Sequence, residues 1–366
     1  MTLSVFPGRR RRAWTAALAA VALCGAGCAA RPADDWQIGP FTKAVDENPC
    51  LEPTESSTFA CPLGGEVRWE RRAVFNPAAV VRDGKLWLLY RAQDEAGTSR
   101  IGLAHSDDGL RFTRHSAPVL YPDHDAMKAL EWPGGCEDPR VVEDGRGQYV
   151  MTYTAYDGQT ARMAIATSPD LIHWRKRGPA FAGKHRDEWT KAGAIISRQI
   201  GHRTVAEKIG GKYWMYLRDS KFLAATSDDL VRWTIVEAPA ARPREALRPR
   251  QGQFDSLLVE PGPPPLLRDD GILLIYNGVN AEAGGDPHLP PGTFCGGQAL
   301  MDPNDPLRLL RRCERDFLRP DQPFERTGQI ANVCFLEGLA LFRGRWFLYY
   351  GTADSRIAVA SCPAED

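Results

Sequence analysis

The chain has no excess of either charge: 46 Lys and Arg stand against 46 Asp and Glu. That balance gives no push toward nucleic acid or an anionic membrane surface. It also lacks metal-ligand spacing. Nine cysteines and seven histidines form no CxxC or HxxxH pattern, so no structural zinc, metal or other cofactor is expected. His105, His173 and His202 are expected at the surface. Helix signals are scarce, and only "HDAMKALEW" (124–132) suggests a short helix. The one long apolar run, residues 13–27, is too short to span a bilayer comfortably.

That run belongs to a targeting segment. Arg9 to Arg12 form its basic start, and it ends Gly25-Ala26-Gly27-Cys28-Ala29. Small residues before a cysteine look like a bacterial lipoprotein signal, with Cys28 as the lipidated N-terminus, although Gly25 stands where Leu is usual. An ordinary secretory signal is the alternative. The expected organisation is a signal over residues 1–28, an N-terminal strap over 29–69 and a catalytic domain over 70–366. The expected location is the cell envelope, with membrane contact only through Cys28, or else secretion. Seven cysteines remain, which fits an oxidising compartment. Cys50–Cys61 and Cys295–Cys313 are the nearest pairs and candidate bridges, and an odd count leaves one thiol over. A disulfide is also expected for Cys136, which has no histidine partner in view to make it a nucleophile.

Abundant glycine (34), proline (28) and tryptophan (10) point to turn-rich β-structure. An internal repeat organises it. "KLWLLYRAQD" (85–94), "QYVMTYTAYD" (148–157), "KYWMYLRD" (212–219), "ILLIYNGVN" (272–280) and "RWFLYYGTAD" (345–354) each run apolar to a Tyr and then a polar residue. A strand signal precedes each across a tight turn: "NPAAVVRDG", "DPRVVEDGRG", "TVAEKIGG", "PPPLLRDDG" and "GLALFRG". A third strand follows, three times ending in Ser-x-Asp with an aromatic soon after, which is expected to pack between units. Copies about 60–75 residues apart, built from strands, are the signature of propeller blades. The prediction is an all-β, five-bladed β-propeller with blades near 70–125, 138–185, 190–240, 254–315 and 325–362. Residues 239–250 read as a long loop.

In a propeller the first strand of each blade lines the central channel. Polar residues at the starts of these strands therefore converge: Asn76, Asp138 with Arg140, Glu260, and Glu337. The next hairpin returns Arg91, Asp94, Asp157, Arg218, Asp219, Asn277, Asn280 and Asp354 to the same face. Carboxylates, guanidinium groups and amides ringed by aromatics such as Tyr276 suit a carbohydrate. Prolines 77, 139 and 263–265 sit at these starts, where a missing N–H costs nothing and a fixed φ stiffens the backbone.

Taken together, "FNPAAVVRDGKLWLLYRA", "EDPRVV…YVMTYTAYD", "ATSPDLIHW", "GPPPLL…GILLIYNG" and "YYGTADSRIAVA" resemble glycoside hydrolase family 130 from about residue 70 to 360. That family comprises inverting phosphorylases and hydrolases of β-mannosides on a five-bladed propeller. The resemblance implies that Asp138, the Asp of the DPR motif, is the general acid and works through a sugar hydroxyl. It implies that Asn76, Arg91 and Asp354 hold the nonreducing mannose. Family phosphorylases carry Lys-x-Gly-x-Gly-Pro-Pro at blade four, with the lysine on phosphate. Here Leu258 replaces the lysine and Glu260 a glycine. A carboxylate there repels phosphate and can polarise water, as an inverting hydrolase requires.

The leading expectation is therefore an inverting β-mannosidase acting on oligosaccharides, with Asp138 as acid and Glu260 or Asp219 as base. Asn76, Arg91, Asp94, Arg140, Arg218, Tyr276, Glu337 and Asp354 are expected to bind substrate. Other readings stay open. Glu260 is also placed to pair with Arg140 or Arg218, and Arg140 or Arg218 to hold an anion in a phosphorylase. Asp94 and Asp157 could cap hairpins. An arabinan- or xylan-cleaving propeller and a non-catalytic glycan-binding propeller are the remaining alternatives.

Overall fold

A computed structural model describes residues 36–239 and 242–364. The expected signal and Cys28 lie outside the described residues. The fold is almost entirely β: the only helical pieces among the described residues are Lys128–Glu131, Gly183–His185 and Pro323–Arg326. The first of these is one turn of the helix anticipated over 124–132. Among the described residues no helix is long and apolar enough to cross a membrane.

Five antiparallel units follow one another. Unit one is Ala73–Arg82, Lys85–Gln93, Ser99–Ser106 and Thr113–Arg114. Unit two is Gly135–Glu143, Tyr149–Tyr156, Ala161–Ser168 and Arg175–Pro179. Unit three is built on Lys212–Leu217, Phe222–Ser227 and Thr234–Ile235. Unit four is built on Gly271–Val279, Phe294–Met301 and Leu309–Arg312. Unit five is Cys334–Phe342, Arg345–Thr352 and Arg356–Pro363, and its fourth strand is Thr42–Lys43 from the N-terminal segment.

The alternation of side chains along a strand explains how the units assemble. In the second strand of unit four, Leu273 and Ile275 face a core shared with Leu336 and Leu348 of unit five. Leu274 and Tyr276 face a core shared with Tyr216 and Phe222 of unit three. Both faces are buried, so the run reads as continuously apolar. The same division recurs between units one and two, two and three, and five and one. Each unit thus shares one core with the unit before it and another with the unit after, and the last of these cores joins unit five to unit one.

The repeated tyrosines serve this packing. Tyr90 donates to Glu70 Oε1 at 2.6 Å, Tyr153 to Glu131 Oε1 at 2.8 Å, Tyr276 to Asp255 Oδ2 at 2.7 Å and Tyr350 to Glu325 Oε1 at 2.9 Å. Each acceptor comes from the segment leading into its own unit. Tyr216 instead donates to the Pro306 carbonyl at 2.6 Å. Tyr90 and Tyr276 lie across from Gly102 and Gly297, where a Cβ would sit about 2.3–2.5 Å from the ring. The Ser-x-Asp motifs are turn locks. The Oδ1 atoms of Asp108, Asp170 and Asp229 each accept two backbone N–H groups from the residues two and three ahead. Trp174 and Trp233 then close over those turns through their indole N–H.

Three expectations need correction. The first strand of unit three is not "TVAEKIGG". Ala194–Ile195 pairs with Met215 and Tyr216, and a hairpin of Ser197–Ile200 with Arg203–Ala206 interrupts that strand before Lys208–Ile209 resumes it. Residues 242–247 are not a plain loop, because Arg242–Pro243 and Glu245–Leu247 pair with Glu237–Ala238 and Phe222–Leu223. Finally, Cys50, Cys61, Cys136, Cys295 and Cys313 form no disulfides. Their sulfurs are taken up elsewhere: Cys50 Sγ donates to the Ile357 carbonyl, Arg100 reaches Cys61 Sγ, and Cys313 Sγ accepts from Gln298 N. Cys136 is buried in the core between units one and two.

The tyrosine pins give a stability test. Glu70 is fully buried and its second oxygen takes no hydrogen bond from the protein. Tyr90→Phe should cost about 1–3 kcal/mol, because it removes the short hydrogen bond to a buried carboxylate and leaves that oxygen only Arg114 Nε at 3.3 Å. A urea midpoint equal to that of the parent chain would show that the pin contributes nothing.

Candidate active site

Four of the five units break register at the start of their first strand. The shifts fall between Phe75 and Pro77, Glu137 and Arg140, and Leu336 and Gly338. In unit four the strand is split into Leu258–Pro261 and Leu266–Arg268. Such bulges re-aim side chains. At two of them the re-aimed residue has a left-handed backbone, Asn76 at φ 48° and Asp138 at φ 47°. Asn and Asp tolerate that region best among residues with a side chain, and strain of this kind concentrates at functional sites. Pro77 and Pro139 follow directly and fix the next φ. Gly351 makes room beside them, since a Cβ there would sit 2.3 Å from Asn76 Oδ1.

The four bulges converge. Asn76 Nδ2 donates to Asp138 Oδ1 at 3.0 Å, and Arg91 Nη1 lies 3.3 Å from the same oxygen. Arg91 Nη2 bonds Glu137 Oε1 at 2.6 Å, and Ser99 Oγ donates to that oxygen at 3.1 Å. Lys191 Nζ stands 3.8 Å from Asp138 Oδ2 and 3.7 Å from Glu260 Oε1. Arg140 Nε and Nη2 donate to the Gly262 and Pro261 carbonyls at 2.8 and 2.7 Å, and Nη2 lies 3.6 Å from Glu337 Oε2. Asp354, at φ 50°, contributes its charge beside Arg91 and Asp138. Asn76 Oδ1, Glu260 Oε1 and both Glu337 oxygens are buried and take no hydrogen bond from the protein.

The field within this cluster is uneven. Burial raises Asp138, but Arg91, Lys191, the Asn76 amide and Arg140 outweigh it and hold the carboxyl at about 2. Burial pushes Glu260 up to about 7, against Lys191 and Arg140 and with help from Asp219 and Asp138. Burial likewise drives Glu337 well above the usual carboxylate range, opposed chiefly by Arg140. Asp354 and Glu137 are raised by burial against the pull of Arg91. Near neutral pH the cluster therefore holds protons that the same carboxyls would release in water.

Of the residues picked from sequence, Asn76, Arg91, Asp138, Arg140, Glu260, Glu337 and Asp354 come together. Arg218 and Asp219 lie at its margin, half-buried, with Arg218 N bonded to the Lys191 carbonyl at 2.8 Å. Asp219 Oδ2 accepts the Trp189 indole N–H at 2.9 Å. Asp94 is spent on its hairpin, accepting Thr98 N at 2.9 Å and Arg100 Nη1 at 2.8 Å. Asp157 does the same for the next unit. Tyr276 is fully buried on Asp255 and does not face the cluster. Asn277 ties units four and five through the backbone of Leu336, and Asn280 organises residues 286–290. Sequence reasoning missed Lys191 and gave Glu137 no role. Lys191 stands just ahead of the apolar run Ala194–Ile196, the same arrangement of polar residue before strand that marked the other units.

Three comparisons bear on what such a site does. A family model described as beta-1,4-mannooligosaccharide phosphorylase matches residues 45–366. A 1,2-beta-oligomannan phosphorylase of Thermoanaerobacter sp. (strain X514) is 32% identical over 335 residues, covering 88% of this chain and 98% of its own. A solved glycosyl hydrolase from Bacteroides ovatus is 42% identical with a TM-score of 0.88, covering 90% of this chain and 97% of its own. A further structure, 43% identical with a TM-score of 0.88, covers 91% of this chain and 98% of its own. It was described with the finding that the GH130 family of mannoside phosphorylases contains glycoside hydrolases that target beta-1,2 mannosidic linkages in Candida mannan.

The raised Glu260 sets a sign for stability against pH. Its folded value lies above the ordinary 4.5, so its favourable contribution is complete below about 4.5 and is lost as pH rises through about 7. Glu260→Gln removes that loss. Between pH 4.5 and about 8, thermal or urea unfolding should show the variant gaining up to about 3 kcal/mol on the parent. A stability difference that stays constant across this range would contradict a buried, proton-holding Glu260.

Proposed function

Because the chain belongs to glycoside hydrolase family 130, whose members act on mannosides, we propose that it hydrolyses β-mannosidic linkages with inversion, using Asp138 and Glu260. One observation carries the reading: carboxylates from units two and four lie against the same ammonium, that of Lys191. Their facing oxygens are therefore no farther apart than those two contacts laid end to end. That bound brings both carboxyls within reach of one glycosidic bond, as an acid and base pair requires. The five units sharing five cores support a five-bladed propeller whose channel mouth is this cluster.

Glu260 takes the part of base. A group titrating near 7 is well matched to accepting a proton from water at neutral pH. Asp138 takes the part of acid. The free protein holds it as an anion, so its proton comes from the neutral carboxyls around it once a sugar hydroxyl displaces the Asn76 and Arg91 contacts. The unbonded oxygens of Asn76, Glu260 and Glu337 are acceptors for mannose hydroxyls. The solved structures at 42–43% identity carry hydrolase descriptions, whereas the phosphorylase relative is 32% identical. We take a β-1,2 linkage as the substrate, because the descriptions of that phosphorylase and of the 43% identical structure both name it. Lipid anchoring through Cys28 in the cell envelope completes the proposal.

A phosphorylase is the second reading, and Arg218 favours it. Its half-buried guanidinium makes no side-chain bond among the described residues and could meet an anion.

The test is turnover of β-1,2-mannobiose with and without phosphate. Free mannose should appear at the same rate in both. Phosphate-dependent release of mannose 1-phosphate would replace hydrolysis with phosphorolysis. Asp138→Asn should lower kcat by about 10²–10⁴ while sugar binding persists. The kcat/KM of the parent should rise with pH through about 7 as Glu260 ionises, and Glu260→Gln should lower it by about 10²–10⁴ with any residual rate free of that limb. A limb that falls through the same pH would make Glu260 the acid.

A further inference from the structure

Trp189 stands two residues ahead of Lys191 and is 42% exposed. Of the large hydrophobic side chains exposed among the described residues, it alone is aromatic; the others are Val45, Ile200, Leu257, Leu309, Leu310 and Ile330. An exposed indole is free to swing, but this one is held. Its N–H donates to Asp219 Oδ2 at 2.9 Å. Its ring meets Tyr156 edge-on, with centroids 6.5 Å apart at 72°. The next residue, Thr190, is buried and doubly tied: its N–H bonds the Ala161 carbonyl at 2.9 Å and its Oγ1 accepts Met163 N at 3.0 Å. Arg218 N then bonds the Lys191 carbonyl, which sets the Arg218–Asp219 turn alongside.

The result is a fixed aromatic face with its polar atom already satisfied. Beside it lie a carboxylate with one oxygen to spare and a guanidinium without a side-chain partner. A pyranose presents the complement: an apolar C–H face and a rim of hydroxyls. We propose that Trp189, with Arg218 and Asp219, forms the platform for the sugar on the leaving side of the scissile bond. This rests on the functional reading above, and direction follows from it. Asn76 and Arg91 of unit one reach Asp138 from one side, and Lys191 of unit three reaches it from the other. A mannose held by unit one places its glycosidic oxygen at Asp138 and its leaving partner toward unit three. On this account Asp219 orients the indole and does not activate water, so Trp189 is a positioning and specificity residue.

The test compares two substrates that differ only on the leaving side. Trp189→Ala should lower kcat/KM on β-1,2-mannobiose about tenfold or more, mainly through KM. On β-mannosyl fluoride, which has no leaving sugar, it should stay within about twofold of the parent. Trp189→Phe should restore most of the loss, because it keeps an aromatic face. Equal losses on both substrates, or no loss on the disaccharide, would overturn the proposal. Binding separates it from the functional reading. Calorimetric titration of β-1,2-mannobiose into the Asp138→Asn chain, with and without Trp189→Ala, should show about tenfold weaker binding in the double variant. Unchanged affinity would refute the platform whatever the reaction proves to be. A parent chain that turns over neither substrate would instead refute the hydrolase.

Discussion

Lys191 holds two carboxylates from different units, and the chemistry available to the site follows from how few cations it has help from. Arg91 and Arg140 are the other positive groups inside the cluster, set against Glu137, Asp138, Glu260, Glu337 and Asp354. Buried charge must be paired or neutralised. Where carboxyls outnumber cations, protons make up the difference. They settle on the carboxyls with the poorest partners, which are Glu337 and Glu260, while Asp138, with three good partners, stays ionised. The division into proton-holding and ionised groups is therefore set by which bulge each residue stands on.

The same groups hold the units in register. Asn76 links unit one to unit two, Arg140 links unit two to the backbone of unit four and the carboxylate of unit five, and Asn277 links four to five. The apolar cores fix which units are neighbours, but apolar packing is not directional. The polar links at the strand starts supply the direction. They explain why left-handed backbone at Asn76 and Asp138 persists, since partners on neighbouring units over-determine it.

The repeat of apolar runs ending in Tyr revealed five units, because a strand buried on both faces leaves a continuous hydrophobic signature. The strand starts were legible for the same reason: charge ahead of an apolar run is conspicuous. Lys191 was hidden because the hairpin 197–206 splits the first strand of unit three, and the stronger β signal of "TVAEKIGG" drew the eye past it. The tyrosine partners were hidden because Glu70, Glu131, Asp255 and Glu325 lie 20, 22, 21 and 25 residues upstream of their tyrosines, outside the strands, and no local pattern ties the pairs together. Sequence proximity misled for the cysteines: Cys295 and Cys313 enter the same core, yet both are free and Cys313 Sγ accepts from Gln298 N. It misled for Tyr276 as well, because both faces of that strand pack against neighbouring units, and the ring enters the core shared with unit three.

The balance of charge also bears on which nucleophile this cluster accepts. Arg140, which looked able to hold an anion, is used up on the Gly262 and Pro261 carbonyls and on Glu337. Lys191 is already shared between Asp138 and Glu260. A phosphate dianion would enter a space that is short of cations before it arrives. It would meet Leu258 and Glu260 where the family's phosphorylases are expected to offer lysine and glycine. Among the described cations in and beside the cluster, Arg218 alone has capacity to spare, and it lies beside Asp219 and the Trp189 face. Water brings no charge into the cluster and finds in Glu260 a group that is half ionised near pH 7. On the proposed reading, a site short of cations and rich in protons suits water better than phosphate.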